Sequence, residues 1–373
     1  MCRQAEIRIA VIIAETRVTG LVRQLIETLD RLDGNGCAIQ VAVVVRANAD
    51  PEPISSELRT RGIAYELVRE SGAFDPSLVG KMDRLLRDWS PHLVQTHGYK
   101  PNVLGLFAKN RLGLPWVAFY HGRTTTDLKV RLYHQLNCHV MSRASTIVAV
   151  AHGVQSHLRK RDQTRVRVIQ NAVVPDQRST CSREESRRRL GLSSNELAVG
   201  FIGRLSNEKG PDLFLEAFAL LSRTMPNTRA IIVGEGPLLA SLSLRAARLG
   251  VSESVRFCGY LEEVHDVYKA LDLVAIASRS EVFPNVLLEA VSAGVPVVAT
   301  RVGGIPFIAE GLDSIVPVEP LDERALASAM EAALKFRSES AIDSARIQVR
   351  ERYSQERRAT ELLNLYRELA HVT

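Results

Sequence analysis

The sequence predicts an α/β protein built from two doubly wound parallel sheets. Three observations carry that expectation. Short, nearly continuous apolar runs alternate with helical patterns, which is how parallel strands buried on both faces read. The alternation stops once, in a polar stretch near the middle, and then resumes. At 373 residues the chain is long for one core and sufficient for two.

In chain order, IRIAVIIA is the first strand, and a helix follows over about Gly20–Leu32. AIQVAVVV, GIAYELV, HLVQTH, PWVAFYH, TIVAVA and VRVIQN are the next strands, with helical stretches between most of them. VVPDQRSTCSREESRRRLGL breaks the pattern. Its proline and charge run predict a linker near Val174–Cys181 and a charged helix beyond it. LAVGFIG, TRAIIVG, SVRFCG, LDLVAIAS, VPVVAT and DSIVPV then form a second strand set of similar extent. The stretch from about Ser354 to His371 reads as a charged amphipathic helix. The expected boundaries are 1–173, 182–353 and 354–373. In open sheets of this kind ligands bind beyond the carboxyl ends of the strands. Two such domains facing each other make a cleft, so the residues just after strands are the ones to weigh.

Bulk properties narrow the function classes. Hydrophobic content of 46% and charged content of 24% are ordinary for a soluble globular chain. No apolar run reaches the roughly 20 residues of a membrane-spanning helix. MCRQAEIRIAVIIAE reads as a strand, not a signal peptide, and predicts a cytoplasmic protein. Cys2, Cys37, Cys138, Cys181 and Cys258 are odd in number, scattered and free of any CxxC, which suits a reducing compartment. The net charge of +6 is uneven. Residues 1–180 hold 25 Lys/Arg against 16 Asp/Glu, or +9, and the remainder holds 23 against 26, or −3. The basic half suits an anionic partner such as a lipid headgroup surface or a phosphorylated acceptor, and equally a solvated arginine-rich surface. Nucleic acid is disfavoured by the lack of a binding motif and by 5% aromatics.

Three stretches of the second half carry chemistry. In FIGRLSNEKGPDLFLEAF a strand ends at Gly203, and Pro211 and Asp212 open a helix. Arg204 and Lys209 are the only cations of the intervening loop. Such a strand–loop–helix junction suits an anion, with the helix N-terminus and both cations as partners. A surface loop with two snorkelling cations is the competing reading. In IIVGEGPLLASL, Gly234 and Gly236 again sit between strand and helix. The third glycine of a dinucleotide fingerprint is absent, so tight-turn geometry alone explains the pair.

The third stretch is SRSEVFPNVLLEAVSAG. A helix is expected over about Asn285–Ala293, with Pro284 at its start and Gly294 at its end. Glu281 then precedes the helix and Glu289 lies one turn inside it. Unpaired amides at Asn285, Val286 and Leu287 would point into the same space. Carboxylates suit hydroxyl groups and amides suit phosphates, so one loop-helix offers both.

In the first half, QTHGYKPN places His97 after one strand, and AFYHGRTTT places His121, Gly122 and Arg123 after the next. Each histidine reads either as a structural residue or as part of a site. His134 and Cys138 are four apart on a helix, but no further ligand pair accompanies them, so a metal centre is not expected.

GRLSNEKG, VGEGP and EVFPNVLLEA, in this order and spacing, resemble the C-terminal domain of family 4 glycosyltransferases with the GT-B fold. THGYKPN, FYHG and VIQNAVV resemble the matching N-terminal features, as in bacterial group 1 enzymes of surface polysaccharide assembly. The resemblance implies two Rossmann-like domains and a last helix that crosses back to the first. It implies retaining transfer of a sugar from a UDP- or GDP-type donor to a glycan or lipid-linked hydroxyl, with no cofactor and no metal. Arg204 and Lys209 would hold the diphosphate, Glu289 the ribose hydroxyls and Glu281 the donor sugar. Gly203, Gly234, Gly236, Phe283, Pro284, Asn285 and Val286 would complete the donor side. His121 would stand near the reacting carbon, with Thr19, Gly20, His97 and Arg123 on the acceptor side. The sequence departs from the family at Phe307, where a Glu is usual, at Thr19-Gly20 in place of a double glycine, and at Ala151 in place of a common Ser.

No carboxylate stands out as the base an inverting reaction needs. Rival readings are a nucleotide-sugar epimerase of the same fold, which needs no acceptor, and a binding protein that has lost transfer. The intact Arg204, Lys209, Glu281 and Glu289 argue against the latter. A nicotinamide-dependent oxidoreductase is set aside, because the first strand leads into AETRVTG with its single glycine.

Overall fold

The computed structural model describes residues 6–16, 18–72, 75–122, 128–151, 158, 160–173, 181–261 and 264–370. The linker expected at Val174–Cys181 falls outside them except for Cys181, and so does Arg123. The chain divides into two compact units, residues 1–174 with 355–373, and residues 175–354.

Apolar runs become parallel strands in both units. In the first unit they are β1 (Ile7–Ile13), β2 (Cys37–Arg46), β3 (Ala64–Glu70), β4 (Leu93–His97), β5 (Trp116–Tyr120), β6 (Thr146–Ala149) and β7 (Val166–Val168). Their order is β3-β2-β1-β4-β5-β6-β7. In the second unit they are β8 (Leu197–Ile202), β9 (Thr228–Val233), β10 (Val255–Gly259), β11 (Leu273–Ile276), β12 (Val297–Thr300) and β13 (Ile315–Val318). Their order is β10-β9-β8-β11-β12-β13. Each sheet reverses direction of growth beside its first strand, at β1/β4 and at β8/β11. That is the switch point where open α/β sheets leave a crevice.

Alternation of side chains in β1 builds two layers. Ile9, Val11 and Ile13 pack with Leu25, Ile26 and Leu29 of the helix Gly20–Leu32 and with Leu362, Leu365 and Tyr366 of the last helix, Gln355–Ala370. Ala10 and Ile12 face the other side, against Met82, Leu86 and Leu104. Each fully buried aliphatic side chain contributes about 1.5–3 kcal/mol, so the last helix is held as core and not as a surface appendage. It also brings a buried cation. Arg358 Nε donates to Thr28 Oγ1 at 3.1 Å, and Nη1 donates to the carbonyls of Ile169 and Gln170. Burial lowers the Arg358 pKa to about 10.

In the second unit, Val199, Phe201, Phe214, Phe218, Ile232 and Leu273 centre the core. Among the described residues no helix is long and apolar enough to cross a membrane.

Candidate functional site

Four loops converge beyond the carboxyl ends of β8, β9, β11 and β12, and glycine is what lets their backbones touch. Gly234 has φ 135°, and a Cβ there would lie 2.0 Å from the Gly203 carbonyl oxygen. Gly303 has φ 55°, and a Cβ would lie 1.7 Å from the Glu281 carbonyl oxygen. No other residue fits either position. The Leu205 amide donates to the Glu235 carbonyl at 2.9 Å, and the Leu238 amide donates to the Leu205 carbonyl at 3.1 Å. Gly236 permits that approach, since a Cβ there would meet the same Leu205 oxygen.

The charged groups of these loops pair with one another. Lys209 Nζ donates to Glu281 Oε1 at 2.7 Å, and Ser278 Oγ donates to the same oxygen at 2.7 Å. Glu281 is buried, while the Lys209 side chain is 28% exposed. Arg204 pairs with Glu208 at 2.6 Å and stays largely in solvent. The loop from Asn207 is clamped from below. Arg279 makes a two-pronged pair with Asp212 at 2.8 and 2.6 Å and donates to the Asn207 carbonyl at 2.9 Å. Burial pushes the Asp212 carboxyl up, but the hydrogen bonds and charge of Arg279 outweigh it and hold it below its ordinary value. A bidentate pair of this kind fixes orientation as well as distance, so Lys209 is delivered to Glu281 by a loop with little freedom.

The helix Asn285–Ser292 begins after Pro284 with no side-chain cap and ends at Ala293, with Gly294 at φ 77° beyond it. One expectation fails here. The Leu287 amide donates to the Pro284 carbonyl at 3.1 Å, because the first turn closes as a tight i→i+3 bond. It is therefore not an open donor. Asn285 and Val286 are half-buried. Phe283 is buried and meets the Tyr353 ring edge-on at 5.7 Å, so its side chain serves packing. Glu289 is half-buried and accepts a hydrogen bond from the Tyr268 hydroxyl at 2.8 Å.

In the first unit, His97 and His121 come together at the ends of β4 and β5. His97 Nδ1 and His121 Nε2 are 3.1 Å apart, and His97 stacks on Phe119 at 4.4 Å. Burial, His121 and Arg358 press the His97 pKa well below its ordinary value. Burial and then Arg358 press His121 down to about 3. Both rings are neutral at physiological pH. Thr19 Oγ1 accepts from the Val22 amide at 3.4 Å and caps the helix that Gly20 opens. Gly20 is thus the first helical residue, where the helix was expected to begin. His134 Nε2 lies 3.5 Å from Cys138 Sγ and 3.2 Å from the Tyr120 hydroxyl. Among the described residues no group of three His, Cys, Asp or Glu is placed to hold a metal ion.

Ser278, Tyr268, Arg279, Gln95 and Tyr366 are not singled out by the sequence, and Asp212 only as a helix opener. Ser278 had a signal, as a hydroxyl at a strand end three residues before Glu281. The others are joined to their partners only by the fold.

The first half of this chain, residues 18–177, matches the family model described as Glycosyltransferase Family 4, and residues 182–351 match Glycosyl transferases group 1. A D-inositol 3-phosphate glycosyltransferase of Corynebacterium urealyticum is 31% identical over 336 residues, covering 83% of this chain and 73% of that protein. Its counterpart in Segniliparus rotundus is 30% identical over 301 residues, covering 75% of this chain and 66% of that protein, so this match spans just under two thirds of the relative. Among solved structures, Anabaena HepE in complex with UDP-glucose superposes with a TM-score of 0.83 at 22% identity, over 98% of this chain and all of that one. Sucrose-phosphate synthase of Thermosynechococcus elongatus superposes at 0.80 and 19%, over 99% and 100%. Those two likenesses speak for the fold, and the sequence matches speak for the family. The chain belongs to the group 1, family 4 glycosyltransferases and has their GT-B architecture.

Proposed function

We propose that the protein transfers a sugar, with retention of configuration and without a metal, from a UDP- or GDP-sugar to a hydroxyl of a glycan, lipid-linked or phosphorylated acceptor. The observation that carries the reading is the Lys209–Glu281–Ser278 cluster beyond β8 and β11. When the glycosidic bond to the diphosphate breaks, negative charge grows on the leaving phosphate. Lys209, held in this cluster, and Arg204, paired with Glu208 at the surface, are the cations for that charge, and their stabilisation is greatest in the transition state. Glu281, held by Ser278, takes the donor sugar's hydroxyls, and Glu289, held by Tyr268, takes the ribose. The acceptor oxygen bonds to the anomeric carbon on the face the phosphate leaves, and the phosphate receives the acceptor's proton. No separate base is needed, and His121, half-buried and with its pKa pressed down to about 3, is suited to donating a hydrogen bond and not to removing a proton. Relatives named D-inositol 3-phosphate glycosyltransferase support a phosphorylated polyol among the acceptors.

The reading extends to location. A cytoplasmic enzyme at the inner membrane face suits a lipid-linked acceptor. The basic N-terminal half supports this, with exposed Tyr99, Val103 and Phe107 on the helix Tyr99–Leu112 and Tyr133 and Leu136 on the helix Leu128–Met141. Failure to sediment with anionic vesicles at low salt would remove the membrane from the account.

The test of the reaction is direct. UDP- and GDP-sugars are incubated with D-inositol 3-phosphate or a glycan acceptor in excess EDTA. Acceptor-dependent release of nucleoside diphosphate and an α-linked product from an α-donor are expected. A β-linked product, or complete loss of activity in EDTA, overturns the reading.

A further inference from the structure

The pair His97–His121 is the outer end of a longer chain. Tyr366, fully buried on the last helix, hydrogen-bonds through its hydroxyl to Gln95 Oε1. Gln95 Nε2 lies 2.7 Å from His97 Nε2. His97 Nδ1 lies 3.1 Å from His121 Nε2. Gln95 and His97 are two apart on β4 and so share a face. Parallel pairing of His97 with Phe119 brings the end of β5, and His121, alongside.

Counting hydrogens along this chain fixes where the protons sit. An amide nitrogen only donates, so His97 Nε2 accepts and is bare. A neutral imidazole has one proton, which is then on His97 Nδ1. That proton points at His121 Nε2, which is bare in turn, leaving the His121 proton on Nδ1. Both rings are held neutral by burial and by the Arg358 charge. The Gln95 oxygen faces the Tyr366 hydroxyl, so the phenol donates and the amide nitrogen is left for His97. A reversed amide would invert every bond and give His121 the Nε2–H tautomer.

We infer that Tyr366 and Gln95 are positioning residues that lock His121 in the Nδ1–H tautomer, so that it presents a hydrogen-bond donor to a substrate hydroxyl. Among the described residues nothing hydrogen-bonds to His121 Nδ1, which leaves that donor open. The last helix thus acts on the site's chemistry as well as on the stability of the first unit. This rests on His121 belonging to the site, but its primary test needs no substrate.

Nitrogen-15 NMR of histidine-labelled protein, with His121→Asn to identify the signal, reads the tautomer directly. Protonated Nδ1 and bare Nε2 on His121 are expected in the free enzyme, and the opposite assignment overturns the inference. In Tyr366→Phe, and separately in Gln95→Leu, a mixed or inverted His121 tautomer is expected. Transfer should fall about 2- to 10-fold in kcat, with little change in donor KM. A His121 tautomer unchanged in both folded variants also overturns it. If one variant fails to fold, the wild-type spectrum and the other variant still decide. An Nδ1–H tautomer with kcat unaffected by its loss would leave the relay standing but take His121 out of the reaction, so the two failures are distinguishable.

Discussion

The strand ends of the two sheets carry polar groups by opposite means. Beyond β8 and β11 the groups are charged and paired, Lys209 with Glu281 and Arg204 with Glu208, in loops pressed together through glycines. Beyond β4 and β5 the groups are neutral imidazoles, His97 buried and His121 half-buried, strung on a hydrogen-bond chain to the last helix. Under the proposed function, a diphosphate would find cations held ready by internal carboxylates, and hydroxyls would be oriented without charge, by protons whose positions are fixed. Glycine packing and ion pairing serve the first purpose, and desolvation serves the second.

The largest expected effect breaks the charged side of this comparison. Gly303→Ala combines a left-handed φ with a Cβ driven into the Glu281 carbonyl, so the second unit should lose about 3 kcal/mol or more in urea unfolding. Gly113→Ala is the control. It has φ 71° with open space around it, and should cost only about 1 kcal/mol. Equal costs at the two positions would mean that the close approach of the loops is not a constraint.

Acid sharpens the neutral side. The folded pKa values of His97 and His121 lie below the ordinary value of 6.5, so the unfolded chain takes up these protons first. Their stabilisation is complete above about pH 6.5 and is lost as pH falls below it, for His121 toward about 3, at up to roughly 1.4 kcal/mol per pH unit for each ring. Asp212, held below its ordinary 3.8, contributes in a lower window. Trp89 and Trp116, the chain's two tryptophans, both lie in the first unit, so their fluorescence reports on that unit. The urea midpoint should fall between pH 6.5 and 4.5, and less steeply in His121→Asn. A flat midpoint over that range would contradict buried neutral rings.

The smallest effect is Tyr268→Phe. Removing its hydrogen bond to Glu289 should raise donor KM about 2- to 10-fold and leave kcat nearly unchanged. An unchanged KM would separate Glu289 from donor binding.

Strand cores were legible because parallel strands buried on both faces read as continuous apolar runs. Even β7, three residues long, surfaced as VRVIQN. The loop-helix acids were legible because strand end, proline and glycine bracket them locally. What stayed hidden was pairing at a distance. Nothing near Gln95 announces Tyr366, 271 residues away, and nothing near Glu289 marks Tyr268 as its partner. The Leu287 amide was misjudged for a local reason, since a tight first turn uses a donor that helix geometry alone leaves open.

The central claim is that the Lys209–Glu281 cluster receives a nucleotide diphosphate. Thermal unfolding of wild type and Lys209→Ala against UDP-, GDP- and ADP-sugars tests it most directly. At about 100 times its dissociation constant a donor adds roughly 2.7 kcal/mol of stability. One charged hydrogen bond lost, about 1.5–3 kcal/mol, weakens binding about 10- to 100-fold. The account predicts a clear upward shift for one nucleotide class in wild type and, at the same donor concentration, a shift cut to about 0.4–1.4 kcal/mol in Lys209→Ala. An equal shift in both proteins would contradict it.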